Sequence, residues 1–400
     1  MVFLSLIFLE QYCPANENEN FKPLFPINLD HEFPKARETF EEVKEIILEN
    51  YYSDEITEEA LYWSAIQGML RHISPPEHPE LAKIWTAEEY EKVLQALEGV
   101  QVSIGIKSSF NPQDGSLTIT EVLPNSPATG VLKPFDRVLR IDSQPLIERS
   151  LEDVNSLLKG EEGEEIRLTI NRDIEIFDII IKRRKIETQT LIISKINDEI
   201  LLVEIKSFTS DLSQKLGDEL KNYKGEGIKG LIIDLRDNKG GLFAEALKTV
   251  ELFLPEKHIL LRTLQRETGL QNYVSVNKEP FEFNISILVN DKTASSAEIL
   301  ASALQDHQKA FIIGTRTYGK GVFDKTFELK NHFRARFITG AMYSPKGKSW
   351  QGNGITPDFL VEQDDNTLTS LLKMEPLQRL QMDVAMITAY KLLNLQQHSP

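Results

Sequence analysis

One cysteine, Cys13, stands in a chain of 400 residues. A single thiol excludes an intrachain disulfide, a CxxC redox pair and a thiolate zinc cluster, and it leaves the compartment unreadable from cysteine. Positive charge is also short, with 45 lysines and arginines against 61 acidic residues and a formal net charge of −16. A field of that sign repels phosphate backbones and anionic lipid, so nucleic acid and membrane surfaces are poor partners. The apolar run Val2–Leu9 falls well below the ~20 residues of a membrane-spanning helix. It has the texture of a secretory signal centre, yet no Lys or Arg precedes it and no small-x-small cleavage pattern follows. A signal remnant and a start inside a longer leader both fit. The polar stretch Pro14–Asn20 continues as a tether, giving a leader and tether over 1–34. HExxH, a Cys/His ligand set and GxSxG are all missing, so no metal site, zinc hydrolysis or α/β-hydrolase elbow is expected. The seven histidines are scattered, and His31 and His307 each follow an aspartate without forming a relay by adjacency alone.

What is present is an ordinary globular composition, 41% hydrophobic and 26% charged, in a chain long enough for two to four domains. From Lys35 to Glu98 the apolar spacing is helical. Phe40, Val43, Ile46, Ile47 and Tyr51 make one face, Leu61, Ala65, Met69 and Leu70 the next, and Ala87–Leu97 a third helix after the break at Pro75-Pro76 and Pro79. Between Gly99 and Ile186 the pattern changes to short strands (103–106, 117–120, 137–141, 166–170, 178–181) around one helix, Leu151–Leu158. From Glu187 to Glu362, strands at Ile200–Ile205, Ile228–Leu235, Ile285–Val289 and Phe311–Gly314 alternate with helices at Leu212–Tyr223, Leu242–Leu254 and Ser296–Gln308. That alternation predicts an α/β layer with parallel pairing. Leu377–Leu395 reads as a closing amphipathic helix.

Two glycine turns carry chemical potential. Asp234-Leu-Arg-Asp-Asn-Lys-Gly-Gly241 joins a strand to a helix, where backbone N–H groups can approach a ligand at a positive helix end. Gly314 to Lys320 matches the first seven positions of a Walker A loop, but Gly321 replaces the required Ser or Thr, and the next residues alternate like a strand. Nucleotide binding is therefore not expected. Ser295 and Ser296 lie at the start of the Ser296–Gln308 helix. Serine is the ordinary N-cap, and it is also a nucleophile when a neutral lysine takes its proton and helix-end N–H groups stabilise the oxyanion.

In order and spacing these segments resemble the C-terminal processing peptidases, serine/lysine proteases with an inserted PDZ domain. Asn290–Ile299 resembles the nucleophile segment, with Glu298 fixing the register so that Ser295 is the implied nucleophile. Thr317-Tyr-Gly-Lys-Gly resembles the segment that carries the base, implying Lys320. Asp234–Gly241 resembles the segment supplying an oxyanion N–H, from Gly240 or Gly241, with the N–H of Ser296 as partner. Tyr343–Gly347, Gly354–Asp358 and Ala65–Leu70 resemble further family stretches. The β-rich segment resembles the PDZ domain, with Ser103, Ile104, Gly105 and Ile106 where a carboxylate-binding loop offers N–H groups to a chain terminus.

The resemblance implies an α+β multidomain chain: helical N-terminal region (35–98), PDZ-like β domain (99–186), crotonase-like α/β protease core of ββα units in a spiral (187–362) and a C-terminal helical segment packing on the core (363–400). It implies no cofactor, polypeptide substrates with exposed C-termini, action outside the cytoplasm, and an oligomeric state left open, a homo-oligomer included. Four departures stand out. Lys239 replaces a proline before Gly-Gly, Phe135-Asp136 replaces Gly-Asp, Ser103 stands where the PDZ loop usually has glycine, and Asp324 replaces the glutamine that positions the lysine. An ionised carboxylate about 4 Å from an ammonium favours the protonated lysine by roughly 4 kcal/mol at an effective dielectric near 20. Asp324 thus points away from Lys320, shares a proton with it, or leaves the enzyme weak and alkaline-shifted relative to Asp324→Gln. The competing readings are a catalytically impaired PDZ scaffold that binds C-termini, which only Asp324 favours, and an acyl-CoA-binding crotonase relative, against which the PDZ segment argues.

Overall fold

The computed structural model describes residues 35–397 apart from 54, 75–77, 79, 80 and 224. The leader and tether of 1–34, with Cys13, and the prolines at 75, 76 and 79 lie outside the described residues. The described residues form two units, one of Leu94–Gln189 and the other of residues 35–93 together with 190–397.

The second of these opens with helices α1 (Ala36–Asn50) and α2 (Glu58–His72), followed by strand β1 (Lys83–Trp85) and the first part of helix α3 (Ala87–Leu97), whose last turn falls in the other unit. Thr57 caps α2 by accepting the Ala60 N–H. Lys44 clamps α1 to α2, its Nζ 2.6 Å from Glu58 Oε1 and 2.8 Å from Tyr62 OH. The apolar face expected on α1 is not the buried one: Phe40, Val43, Ile46 and Tyr51 are all exposed, and Lys44 is the residue that is covered. Amphipathic spacing says that a face can be covered, not that this chain covers it.

The unit Leu94–Gln189 contains β2 (Val100–Ser103), β3 (Ile106–Asn111), β4 (Ser116–Val122), β5 (Arg137–Ile141), β6 (Gln144–Pro145), α4 (Leu151–Leu158), β7 (Glu165–Arg172), β8 (Glu175–Lys182) and β9 (Arg184–Glu187). Its sheet runs β3-β4-β5-β7-β8, while β2 pairs with β9. Leu117, Ile119, Val138, Ile141, Ile166, Leu168 and Ile170 point alternately into one core. Helix α4 starts at a reciprocal Ser150–Asp153 capping box. Among the described residues strand β3 has β4 as its one neighbour, so its other edge is unpaired there.

The α/β part comprises β10 (Leu191–Lys195), β11 (Ile200–Ile205), α5 (Leu212–Asn222), β12 (Gly230–Asp234), α6 (Phe243–Glu251), β13 (Ile259–Gln265), β14 (Gly269–Val274), β15 (Asn284–Val289), α7 (Ser296–Asp306), β16 (Ala310–Gly314), β17 (Val322–Glu328), β18 (Arg334–Tyr343) and β19 (Phe359–Leu360). The main sheet runs β10-β11-β12-β15-β16-β19, parallel from β11 onward. Both faces are covered, which explains the uninterrupted apolar strands. Leu201, Val203, Ile205, Leu231, Ile233 and Ile287 pack with α5, α6 and α7, while Ile200, Leu202, Ile232, Leu288 and Ile313 pack with the C-terminal helix. A second, antiparallel sheet runs β1-β18-β13-β14 with β17 on β18. Strands β13, β14 and β18 escape the sequence pattern because they are unevenly covered; β18 is half-buried over most of its length, so its two faces do not alternate.

The single terminal helix expected over Leu377–Leu395 is instead broken into α9 (Pro376–Met382) and α10 (Val384–Gln397), and a further helix α8 (Asp365–Leu371) precedes them. The break is at Asp383, which is fully buried, lies 2.7 Å from Arg236 Nη2 and accepts the Met386 N–H. Arg379 of α9 reaches Glu204 Oε1 at 3.0 Å and Asp234 Oδ2 at 2.7 Å, pinning α9 to the ends of β11 and β12. Burial alone would raise the Asp234 carboxyl, but Arg236 and Arg379 beside it hold it well below the usual carboxylate range.

Candidate active site

Three neighbouring parallel strands, β12, β15 and β16, deliver their C-terminal ends to one edge of the sheet. That edge is where ligands bind in open α/β sheets. Each strand leads into one of the segments singled out by sequence, ending in Gly240-Gly241, Ser295 and Lys320. The loops are bonded to one another as well as to the strands. Asn290 accepts the Asp237 N–H at 3.0 Å and donates to Asp237 Oδ1 at 2.8 Å, Thr293 Oγ1 donates to Leu235 O, and the Ala294 N–H donates to Asn238 O. The Tyr318 N–H closes the set on Thr293 O at 3.0 Å.

Ser295 sits at the entry to α7 with φ 56° and ψ −119°. This is left-handed backbone that a serine adopts only under constraint, a strained strand-to-helix turn of the kind that can lift a side chain out of the chain. The residue is half-buried, and its backbone N–H donates to Glu298 Oε2 at 2.8 Å.

Gly240 lies against this turn so closely that a Cβ there would come 2.8 Å from Ser295 Cβ and 3.0 Å from Ser296 N. The two glycines are not equivalent. The Gly240 N–H is taken by Asn238 Oδ1 at 2.8 Å, whereas the N–H groups of Gly241 and Ser296 have no acceptor among the described residues. Ser296 Oγ donates to Gly241 O at 3.0 Å and fixes that peptide's orientation. Two open donors therefore flank the serine turn, one at the N-terminus of a helix, which is the arrangement that can stabilise a developing oxyanion.

Lys320 is tied to the serine through Glu298. The carboxylate takes four donors: Thr317 Oγ1 (2.6 Å) and the Gly319 N–H (2.7 Å) on Oε1, and the Ser295 N–H (2.8 Å) and Lys320 N–H (2.9 Å) on Oε2. Sharing Oε2, the backbone nitrogens of Ser295 and Lys320 are no further apart than those last two bonds laid end to end. Burial pushes the Glu298 carboxyl up to about 7 against the pull of its donors. The Lys320 side chain turns to Asp324, Nζ to Oδ2 3.3 Å, with both residues half-buried. Of the three options left open for Asp324, the one in which it points away from the lysine is excluded by this contact. Beyond Lys320 the chain enters β17, a strand, where a phosphate-binding loop would enter a helix.

In the β-rich unit, Ser103 closes β2, Ile104 is buried, Gly105 has φ 78°, and Ile106 opens β3 beside the open edge. The loop is partly closed on itself, because Ser103 Oγ accepts the Gly105 N–H at 2.9 Å. A donor expected to serve a chain terminus is thus already occupied.

Sequence reasoning used Glu298 only as a register mark and did not find Asn238, Asn290 or Arg336. The Ser-x-x-Glu spacing of Ser295 and Glu298 is a capping-box signature and was the available signal for Glu298. Arg336 had none, since its approach to Asp324 (Nε to Oδ1 3.9 Å) depends on strand register. Among the described residues no group of acidic, histidine or cysteine side chains could hold a metal, and no helix is long and apolar enough to cross a membrane.

Residues 199–361 match the profile of peptidase family S41, and residues 118–172 match that of the PDZ domain. Over 326 residues the chain is 29% identical to a protein named "Probable CtpA-like serine protease" in Staphylococcus aureus (strain bovine RF122 / ET3-1), covering 80% of this chain and 64% of the relative. A protein of the same name in Staphylococcus haemolyticus (strain JCSC1435) is 28% identical over 302 residues, 74% of this chain and 59% of that one. The chain thus spans less than two thirds of the length of these curated relatives. Among solved structures, an S41 protease from Bacteroides fragilis NCTC 9343 aligns with TM-score 0.58 at 16% identity, covering 91% of this chain and 98% of that one. The photosystem II D1 C-terminal processing protease aligns with TM-score 0.50 at 18% identity, covering 87% and 100%. Both are likenesses of fold.

Proposed function

We propose that this chain, which belongs to the C-terminal processing peptidases of family S41, is a serine endopeptidase cutting polypeptides near their C-terminus with Ser295 and Lys320. Ser295 Oγ attacks the scissile carbonyl carbon as Lys320 Nζ takes its proton. The N–H groups of Gly241 and Ser296 hold the oxyanion, and Lys320 returns the proton to the departing amine. Water then resolves the Ser295 ester by the same route. The carrying observation is the backbone of Ser295 at φ 56° and ψ −119°, beside two open N–H donors and one carboxylate away from the lysine loop. Polypeptides with exposed C-termini are the proposed partners, captured by the PDZ unit through the Ser103–Ile106 loop and the edge of β3, with no nucleotide or cofactor taking part. Action outside the cytoplasm goes with this reading.

The test is to incubate wild type, Ser295→Ala and Lys320→Ala with an unfolded protein at several pH values and identify the fragments by mass spectrometry. Cleavage by wild type alone supports the reading, and equal cleavage by Ser295→Ala ends it. One observation favours a second reading, an impaired scaffold that binds C-termini: the 3.3 Å contact of Asp324 with Lys320, which engages the Nζ that the serine needs as its base. Peptide binding without turnover from about pH 6 to 10 selects that alternative, a window spanning the titration range of histidine to lysine.

A further inference from the structure

We infer that Arg336 is a positioning residue of the Ser/Lys site: its guanidinium holds the Asp324 carboxylate and keeps that charge from fixing the proton on Lys320. The inference rests on the reading of Lys320 as the base. Asp324 bridges two cations, Oδ2 lying 3.3 Å from Lys320 Nζ and Oδ1 3.9 Å from Arg336 Nε.

The hairpin β17–β18 creates the bridge. Its register sets Asp324 opposite Ile338 and Thr326 opposite Arg336, so Arg336 is the diagonal neighbour of Asp324 on the same face, within reach of a long side chain. On the other side β1 pairs with β18, and the Trp85 ring lies 4.8 Å from the guanidinium carbon. A planar, delocalised cation stacked on an indole is held in place without losing its charge. Charged groups on the elements packed here include Glu298 of α7, which takes the Lys320 N–H, Lys83 of β1, 5.5 Å from the Trp85 ring, and Lys325 of β17, 5.5 Å from the Phe327 ring. Arg334 of β18 pairs with Glu328 at 3.3 Å.

A lone carboxylate beside an ammonium stabilises the ammonium. With a guanidinium 3.9 Å from its second oxygen, part of that field is offset, and the guanidinium also opposes a proton on Lys320. Asp324 and Arg336 together are a net-neutral acceptor, electrostatically what a side-chain amide would be at that position. The aspartate is tolerable because the arginine is there.

The test reads the charge of Lys320 without needing turnover. In the Ser295→Ala protein, competitive acetylation of Lys320 by acetic anhydride across pH, quantified by mass spectrometry, gives the midpoint at which the amine becomes reactive. Arg336→Gln is expected to raise that midpoint by about one pH unit or more. Arg336→Lys, which restores the charge, returns it most of the way, and Asp324→Asn added to Arg336→Gln returns it fully. The pH profile of kcat/KM with Ser295 intact moves in the same direction. Arg336→Met is the second neutral variant should thermal melting show that Arg336→Gln does not fold. An unmoved midpoint in a folded neutral variant overturns the inference, as does an Arg336→Lys shift as large as that of Arg336→Gln. If the midpoint moves as expected while Ser295→Ala cleaves as fast as wild type, the peptidase reading falls and the charge relation stands.

Discussion

Two glycine loops in this molecule present backbone N–H groups, and they differ in whether those groups are open. At the serine turn, Asn238 occupies Gly240 while Gly241 and Ser296 keep open donors. In the PDZ unit, the Ser103 hydroxyl fills the Gly105 donor from within its own loop. An unfilled N–H costs free energy wherever water is excluded, of the order of 1–3 kcal/mol, so it persists only where the surrounding structure enforces it. The serine turn has that enforcement in Glu298, Asn290 and the buried ion network behind β12. The PDZ loop rests on an apolar core and relaxes by bonding to itself.

That contrast can be broken at several points. The largest effect is expected from Ser295→Ala and Lys320→Ala, each lowering kcat/KM by about 10³-fold or more in a peptide assay, with the double variant scarcely worse than either. Next is the frame. Arg379→Met removes one of the two cations that each of the buried Glu204 and Asp234 carboxylates engages, leaving Lys206 and Arg236, and is expected to cost about 3 kcal/mol in urea unfolding. Gly241→Ala places a Cβ 2.3 Å from Phe208 O on backbone with φ 145°, so the donor must move. A loss of about 10²–10³ in kcat with an intact melting transition is expected.

Glu298 sharpens the comparison through pH. Its four donors are satisfied by the carboxylate, so activity is expected to fall as pH drops through about 7 and the group takes up a proton. A carboxyl with a raised folded pKa binds that proton more readily folded than unfolded. Its contribution to stability therefore grows on acidification from 7 toward 4.5, and is lost as pH rises through 7. Activity should fall over a range in which this group does not lower the melting temperature, and Glu298→Gln should cut kcat about tenfold and flatten the acid limb. The smallest effect belongs to the other loop. Ser103→Gly frees the Gly105 N–H and is expected to tighten binding of a C-terminal peptide by about two- to tenfold in calorimetry, the worth of one hydrogen bond.

The parallel strands of the core and helices α3 and α4 were legible because each is a local pattern, whereas Ser295, Lys320 and the glycine pair came forward through the resemblance of their segments. Ile200–Ile205 reads as a strand from its own apolar run, and Ala87–Leu97 as a helix from its own period. The antiparallel sheet was not, since β18 carries Arg334 and Arg336 on positions that only neighbouring strands make half-buried. Asp383 in the middle of an otherwise helical run gave no sign of stopping a helix, because its partner Arg236 lies far away in sequence. The helix α1 was legible from its spacing, but which of its residues are covered was not.

The residue types at the site, their order along the chain and the substitution of Asp324 belong to the sequence alone, for they follow from short stretches that carry their own meaning. Which glycine keeps an open donor, that Asp324 faces the lysine, and that Arg336 stands on its far side were decided by the tertiary structure. Hydrogen bonds and charges act through space over a few ångströms, and only strand register and loop packing bring such groups that close.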